Sequence, residues 1–450
     1  MPKIYQKKSV WLLCATILSS QPVFAEQAAR PQIAQAAAPQ SGAGLTLEDA
    51  IAKALAQSPR LKGFAYGLAA ARGEQDQAGA WENPEIGVEA ENVAGTGAFK
   101  GVDAAEVTFG VSQQLQPRGL TSARMGVAGR GVEIAALEAQ GAALDVIRDV
   151  TASYAEAVAA EENVRLASEQ KQLAEDVLKS VSLRVGAAAS PLFQKSRAEV
   201  ERASAAIALD MAIRERDISR KNLAALMGEE SFILPLDAAA FFTIARPDLA
   251  ALEEGLEANP DMVKLNSSLE QSRARFDLEK ASAIPGPRLS VGVRDFREGS
   301  DQALVAGVSL PIPVFNANRG NIAKARSEVS RTELDNQQSR LDAAAELTQA
   351  QARMENAYLQ TQTLNNEILP SAEKAFRLAR EGYGLGRFPY LEVLDAQRSL
   401  FEVKQQHIDA IREFHTARAQ LERLTAARLN DIKTSSPEYA AKQKGEDHAQ

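Results

Sequence analysis

Cysteine is all but missing from this chain, with one, Cys14, in 450 residues. No disulfide framework can therefore hold the fold. Basic residues are in deficit as well, 51 Lys and Arg against 59 Asp and Glu, for a formal net charge of −8. With no basic excess to neutralise phosphates, nucleic acid is excluded as a partner. No run of about 18 apolar residues occurs, so no helix is expected to cross a bilayer. Any contact with a membrane has to be made by strands. Histidine is limited to His407, His415 and His448. The Walker P-loop, the nucleophile elbow and the HExxH helix are all absent, so an enzyme reading fails on inventory and no cofactor is implied. His415 continues a heptad stripe of Leu394, Phe401 and Ile408, and reads as a packed side chain rather than a metal ligand.

The first segment that is present with clear meaning is a leader. Lys3, Lys7 and Lys8 precede the apolar stretch "VWLLCATIL", and "VFA" ends at Ala25. Residues 1–25 thus read as a secretory signal peptide, too short in its apolar part to span a bilayer. Its removal takes three positive charges from −8 and leaves a mature charge near −11. It takes Cys14 too. That cysteine follows Trp11, Leu12 and Leu13 rather than small residues, which argues against lipid attachment. A mature chain without cysteine suits an oxidising envelope compartment.

The remainder is written twice. "ALAQSPRLK" (54–62) is echoed by "GLEANPDMVK" (255–264), "ENPEIGVEA" (82–90) by "PGPRLSVGV" (285–293), "FGVSQQL" (109–115) by "AGVSLPI" (306–312), and "RVGAAASPLFQKSRAE" (184–199) by "GYGLGRFPYLEVLDAQ" (382–397). The unit is far longer than a solenoid repeat. We place a first repeat at 45–228, a connector at 229–247 expected to pack outside the helices, and a second repeat at 248–428. Residues 26–44 and 429–450, polar or rich in Ala, Gln and Pro, read as disordered ends.

Each repeat has one order of elements. Two helices separated by a Ser-Pro or Asn-Pro break come first, at about 45–57 and 59–80, then at about 248–258 and 260–283. Two strands follow, then a very long helix (about 121–184 and about 318–382), a tight turn, and another long helix (about 190–227 and about 389–428). A helix of 60 residues extends roughly 90 Å, which calls for coiled-coil packing rather than a globular core. Ile147, Val150, Tyr154 and Val158 step by threes and fours, as do Leu173, Val177 and Val181. An ordinary helical bundle would explain the helices equally well.

The strands are more specific. In "EIGVEAE" Ile86, Val88 and Ala90 share a face opposite Glu85, Gly87, Glu89 and Glu91; in "EVTFGVS" Val107, Phe109 and Val111 oppose Glu106, Thr108, Gly110 and Ser112. "RLSVGVR" sets Leu289, Val291 and Val293 against Arg288, Ser290, Gly292 and Arg294, and "ALVAGVSL" puts Leu304, Ala306, Val308 and Leu310 on one side. Such alternation marks a sheet with one apolar and one polar face, as in a membrane barrel with lipid outside and water inside. A soluble, half-exposed sheet is the competing reading. Polar loops at 92–105 and 296–301 join the pairs. Four strands cannot close a barrel, so the barrel reading requires oligomerisation.

At this point the chain resembles the TolC-like outer-membrane factors of tripartite efflux pumps, and within them the branch serving heavy-metal exporters of the cobalt–zinc–cadmium type. The resemblance is carried over about 45–428 by "LTLEDAIAKAL" (45–55), "ENPEIGVEAEN" (82–92), "VSQQLQPRG" (111–119), "LPIPVFNANRGNIAKA" (310–325) and "YLEVLDAQRSL" (390–400) in order. It implies a mainly α fold with a membrane β-barrel: a homotrimer in which four strands per chain close a twelve-stranded barrel and twelve helices form a periplasmic tunnel. The implied location is the Gram-negative outer membrane, in contact with its lipid. The implied partners are a periplasmic adaptor (membrane fusion protein) and an inner-membrane RND-type transporter. Pro117, Pro311 and Pro313 fall where strand passes into helix, a place that tolerates a missing N–H.

The same resemblance assigns the two hairpin turns, "RVGAAAS" (184–190) and "GYGLGRF" (382–388), to the periplasmic tip that docks the adaptor. Gly186, Ala187, Gly384, Leu385, Gly386 and Phe388 are the docking candidates, the glycines for tight turns and Leu385 and Phe388 as apolar anchors. Glu392 and Asp395, three apart and so on one helix face, match acidic positions that ring the entrance in relatives. Three copies would present six carboxylates that favour cations. A solvated acidic face stabilised by the helix dipole is the alternative. The first tip lacks bulky apolar residues, so unequal adaptor binding by the two tips is expected. The function implied is a passive export duct for divalent heavy-metal cations; a drug-efflux or type I secretion duct shares the architecture, and a periplasmic coiled-coil structural protein is the reading of another class.

Overall fold

The computed structural model describes residues 44–246, 255–299 and 301–428. The expected leader, nearly all of the linker, the opening of the second repeat at 248–254 and the tail lie outside the described residues. Helix α1 (Leu47–Gln57) starts at Thr46, whose hydroxyl accepts from the Asp49 N–H at 3.2 Å and so satisfies one of the free donors of the first turn. Helix α2 (Pro59–Gly79) opens on Pro59, where an N–H would have no helical partner anyway. Strands β1 (Glu85–Glu91) and β2 (Glu106–Gln114) lead to helix α3 (Leu120–Gly186) and helix α4 (Leu192–Leu226). At 67 residues α3 is about 100 Å long.

The second repeat runs in the same order: α5 (Pro260–Ser282), β3 (Arg288–Phe296), β4 (Asp301–Ser309), α6 (Arg319–Thr363), α7 (Leu369–Gly384) and α8 (Tyr390–Leu424). Here the structure departs from the single helix expected at about 318–382. A π turn, Leu364–Ile368, separates α6 from α7. Pro370 is the cause: it has no N–H to give, and its ring would strike the carbonyl four residues back. Widening the turn so that Leu369 N–H reaches the Leu364 carbonyl relieves both. The aligned position in α3 is Gln172, and α3 runs unbroken.

The main core lies where α3 meets α1, α4 and α8. Ile147, Val150, Tyr154 and Val158 are buried together with Ile51, Leu223, Met227, Phe401, Ile408 and Ile411, each large apolar side chain contributing about 1.5–3 kcal/mol by leaving water. Leu236 and Phe241 are buried in this core, with Phe232, Ala238 and Ile244 packed against it, so that the segment between α4 and α5 straps it. Leu45 bridges Leu236 in parallel, the Tyr154 hydroxyl donates to the Leu45 carbonyl (2.7 Å) and accepts from the Asp237 N–H (3.1 Å), and Phe241 stacks on His415 at 5.4 Å. Burial pushes the Tyr154 hydroxyl up to about 12. Arg423 of α8 joins the repeats: it binds Asp145 of α3 and Asp261 of α5, each at 2.7 Å, while Asn259 donates to the Arg423 and Leu424 carbonyls.

The strands form one antiparallel sheet in the order β1-β2-β3-β4, so the β2–β3 pair joins the two repeats. Its apolar face is bare: Ile86, Val88, Phe109, Val291, Leu304 and Val308 are all exposed. The opposite face is tied by two arginines of β3 that reach across β2. Arg288 pairs with Glu85 of β1, and Arg294 binds Glu91 (2.8 Å), Glu106 (2.9 Å) and the Thr108 hydroxyl (3.0 Å). No described helix is long and apolar enough to cross a membrane.

Candidate channel entrance at the helical tips

The two hairpin turns are the same motif. In the second, Gly386 N–H donates to the Tyr383 carbonyl (3.0 Å) and Arg387 N–H to the Gly382 carbonyl (2.8 Å); in the first, Ala188 N–H donates to Val185 (3.0 Å) and Ala189 N–H to Arg184 (2.8 Å). This pair of bonds satisfies the last carbonyls of a helix and requires a left-handed residue just past its end. Gly386 fills that position with φ +71°, and Ala188 with φ +56°. Gly186 and Gly384, taken from the sequence as turn formers, are instead the last residues of α3 and α7 and lie outside the positive-φ set. The sequence suggested three glycines; one glycine and one alanine bear the turns. Pro191 and Pro389 follow with φ near −68° and −69°, an angle their rings impose, and open α4 and α8.

Ala187, Gly384, Leu385, Gly386 and Phe388 are exposed, as is Gly186. Phe388 lies with its ring on Gly382, where a Cβ would collide with it. Glu392 and Asp395 sit on the exposed face of α8, opposite buried Val393, Leu394 and Gln397. Arg398, on the same face beyond Asp395, is held by Glu201 of α4 at 2.9 Å. Its guanidinium is held more firmly protonated by that hydrogen bond and charge, with Asp395 adding to them.

A contact the sequence did not reveal joins the tips. Arg184 Nη1 donates to the Tyr383 carbonyl at 2.8 Å, and the guanidinium lies 4.6 Å over the Tyr383 ring. Tyr383 in turn meets Tyr390 at 5.8 Å. Tyr390, Val181, Ala198 and Leu394 form a small buried cluster. Burial pushes the Tyr390 hydroxyl up to about 12, with Glu201 adding to the shift. The hydroxyls of Tyr383 and Tyr390, Arg184 Nε and the Gln397 carbonyl oxygen are buried without a hydrogen-bond partner among the described residues. Such atoms are rare in folded proteins and call for an explanation.

The sequence profile of the family "Outer membrane efflux protein" matches residues 50–229 and 251–427. The chain is similar to the cobalt-zinc-cadmium resistance protein CzcC of Cupriavidus metallidurans, 28% identical over 410 residues that cover 90% of this chain and 93% of the relative. It is also similar to the pyoverdine export outer membrane protein OpmQ of Pseudomonas putida, 28% identical over 69% of this chain and 65% of that protein. Among solved structures, the open state of the Neisseria gonorrhoeae MtrE outer membrane channel shares the fold, with a TM-score of 0.70 at 21% identity over 84% of this chain and 88% of the other.

Proposed function

Since this chain belongs to the outer membrane efflux protein family, we propose that it is the outer-membrane channel subunit of a tripartite efflux system, conducting divalent heavy-metal cations passively from periplasm to exterior. The observation that carries the reading is the four-stranded sheet with one bare apolar face, one polar face pinned by Arg288 and Arg294, and two edges that are unpaired among the described residues. An open edge in hydrocarbon leaves backbone groups unsatisfied, so the sheet has to close with further copies. Three copies supply twelve strands. This sheet also weighs against a periplasmic coiled-coil structural protein, which has no use for an apolar face turned outward.

Below the barrel the long helices continue the conduit, and the two tips close it. Glu392 and Asp395 would face the axis and bias the entrance toward cations, and the exposed turns around Ala187, Gly384, Leu385, Gly386 and Phe388 would receive the adaptor. Energy for transport would come from an inner-membrane transporter reached through that adaptor. The metal cargo is supported by the similarity to a cobalt-zinc-cadmium resistance protein; the similarity to a pyoverdine exporter favours an organic cargo as the second reading. Single-channel recording of the purified protein in a planar bilayer tests the duct, with a cation-preferring pore as the expected result. Deletion in the host followed by zinc, cobalt and cadmium challenge tests the cargo. Unchanged tolerance to all three metals would turn the assignment toward an organic substrate.

A further inference from the structure

The link below β4 is bare where its counterpart below β2 is covered. Under β2 the chain turns into α3 against the lead-in to β3: Leu115 N–H donates to the Pro287 carbonyl at 2.9 Å, and the Gln114 amide donates to the Gly286 carbonyl at 2.8 Å. Gly286 comes so close to the Leu115 carbonyl that no Cβ could be fitted there. Leu115 and Pro117 are half-buried as a result.

The repeat alignment sets Ile312 where Leu115 stands and Pro84 where Pro287 stands. In one chain these two cannot meet, because Pro84 precedes β1 at the opposite edge of the sheet. Ile312 is accordingly 79% exposed, Val314 72% and Phe315 fully so, while Trp81 on the lead-in to β1 is 72% exposed. Successive strands alternate in direction, so the β1 of a second copy can continue the sheet antiparallel to β4. That places its Trp81–Pro84 at the same end of the sheet as Leu310–Phe315. The two junctions differ in two respects. Asn83 occupies the place of Gly286, so its Cβ forbids the same backbone approach, and the link from Val308 to Gly320 spans thirteen residues where that from Val111 to Gly119 spans nine. A wider gap and a longer link leave space that only side chains can fill.

We propose that Ile312, Val314 and Phe315 of one copy close over Trp81 of the next, forming an apolar clasp at the base of the barrel seam. The occupant of this surface is a second copy of the chain, and the proposal rests on the oligomeric barrel of the preceding section. Loose side chains at that point would otherwise face the water and headgroups beneath the membrane, where Phe315 gains nothing from exposure.

The test pairs Trp81→Cys with Phe315→Cys, and separately Trp81→Cys with Ile312→Cys, in a Cys14→Ser background that removes the one natural cysteine. Outer-membrane vesicles are oxidised or treated with a short bis-maleimide, and the unsubstituted protein is treated in parallel with an amine-reactive cross-linker. Covalent dimers and trimers from the paired variants, absent from each single variant, are expected. A second readout is the Phe315→Ala trimer, expected to dissociate several degrees below the parent on heating. Trimers from the amine reagent without any cysteine-linked species from either pair would overturn the clasp while leaving the barrel intact. Strong quenching of Trp81 by brominated phospholipid in such trimers would then assign the surface to lipid. No oligomer by either chemistry would remove the barrel reading and the clasp with it.

Discussion

Arg184 and Tyr383 stand 199 residues apart and are in contact at the tip, the guanidinium 4.6 Å above the ring and one of its N–H groups on the Tyr383 carbonyl at 2.8 Å. The last turn of α3 is thereby fastened to the last turn of α7, one hairpin to the other. A hydrogen bond from a charged donor contributes about 1.5–3 kcal/mol, and stacking on the ring adds to it. If the closed entrance depends on the two hairpins staying together, Arg184→Ala should raise open probability in planar-bilayer recordings by about tenfold or more, the factor that this energy corresponds to. Arg184→Lys, which keeps the charge but loses the flat stacking surface, should fall between the two. Identical open probability in all three proteins would show that the contact does not hold the entrance.

The paired turns make an internal control for backbone strain. Ala188 has φ +56° and Gly386 φ +71° at equivalent positions. A non-glycine residue in the left-handed region costs roughly 1–2 kcal/mol, part of which glycine returns as unfolded-state entropy. Ala188→Gly should therefore tighten the first tip and Gly386→Ala loosen the second, each by about 1 kcal/mol or less. Amide hydrogen exchange at Ala189 and Arg387, the residues whose N–H groups close the two turns, reads each effect locally. Slower exchange at the first and faster at the second is expected, and the same sign at both would contradict the strain argument.

Much of the architecture was legible in the sequence because it is set by short-range patterning. Alternation located all four strands, and the duplication located both hairpins and their tips. What escaped notice depends on contacts between segments distant in sequence. Arg184 gives no sign of its partner, since the pairing follows from how two hairpins lie side by side. Arg288 and Arg294 were visible as polar-face residues, but their reach across β2 to Glu85 and Glu91 needs the register of three strands. Pro370 lies inside the stretch expected as one helix, and the π turn is what lets the helical run pass it. The glycines misled for a simple reason: the turn needs one left-handed residue, and alanine can serve when the hairpin around it fixes its angle.

The acidic pair on α8 makes a selectivity prediction. Glu392 and Asp395 are exposed on one face, next to an Arg398 already engaged by Glu201. With the arginine so engaged, the two carboxylates keep their negative field. Glu392→Gln with Asp395→Asn should lower the cation-to-anion permeability ratio, read as a shift of reversal potential in a salt gradient, and the difference should shrink at high ionic strength as screening shortens its range. An unshifted reversal potential at low salt would place the pair on a solvated outer face instead.

His415 is expected to make the connector sensitive to acid. Its Nε2 lies 2.8 Å from the Phe241 carbonyl, its ring stacks on Phe241 at 5.4 Å, and Phe414 meets it edge-on. Burial lowers its pKa below the ordinary 6.5, an effect that the hydrogen bond to Phe241 only partly offsets, with Arg418 lowering it further and Glu422 raising it. The sign of the linkage follows. A histidine whose folded pKa lies below its unfolded one binds more protons when unfolded, so its contribution is fully present above about pH 6.5 and is lost as pH falls toward the folded value. The neutral ring donates to the carbonyl and packs well; the charged ring must be hydrated or expose the strap. The protection factor of amides across 232–244, taken against an intrinsic rate that itself slows on acidification, should therefore fall between pH 7.5 and pH 5, while α3 around Val150 stays protected. His415→Gln, which can still donate to the carbonyl but cannot take a proton, should abolish that fall. A parent strap that stays equally protected at both pH values would rule out His415 as the acid-sensitive fastening of the connector.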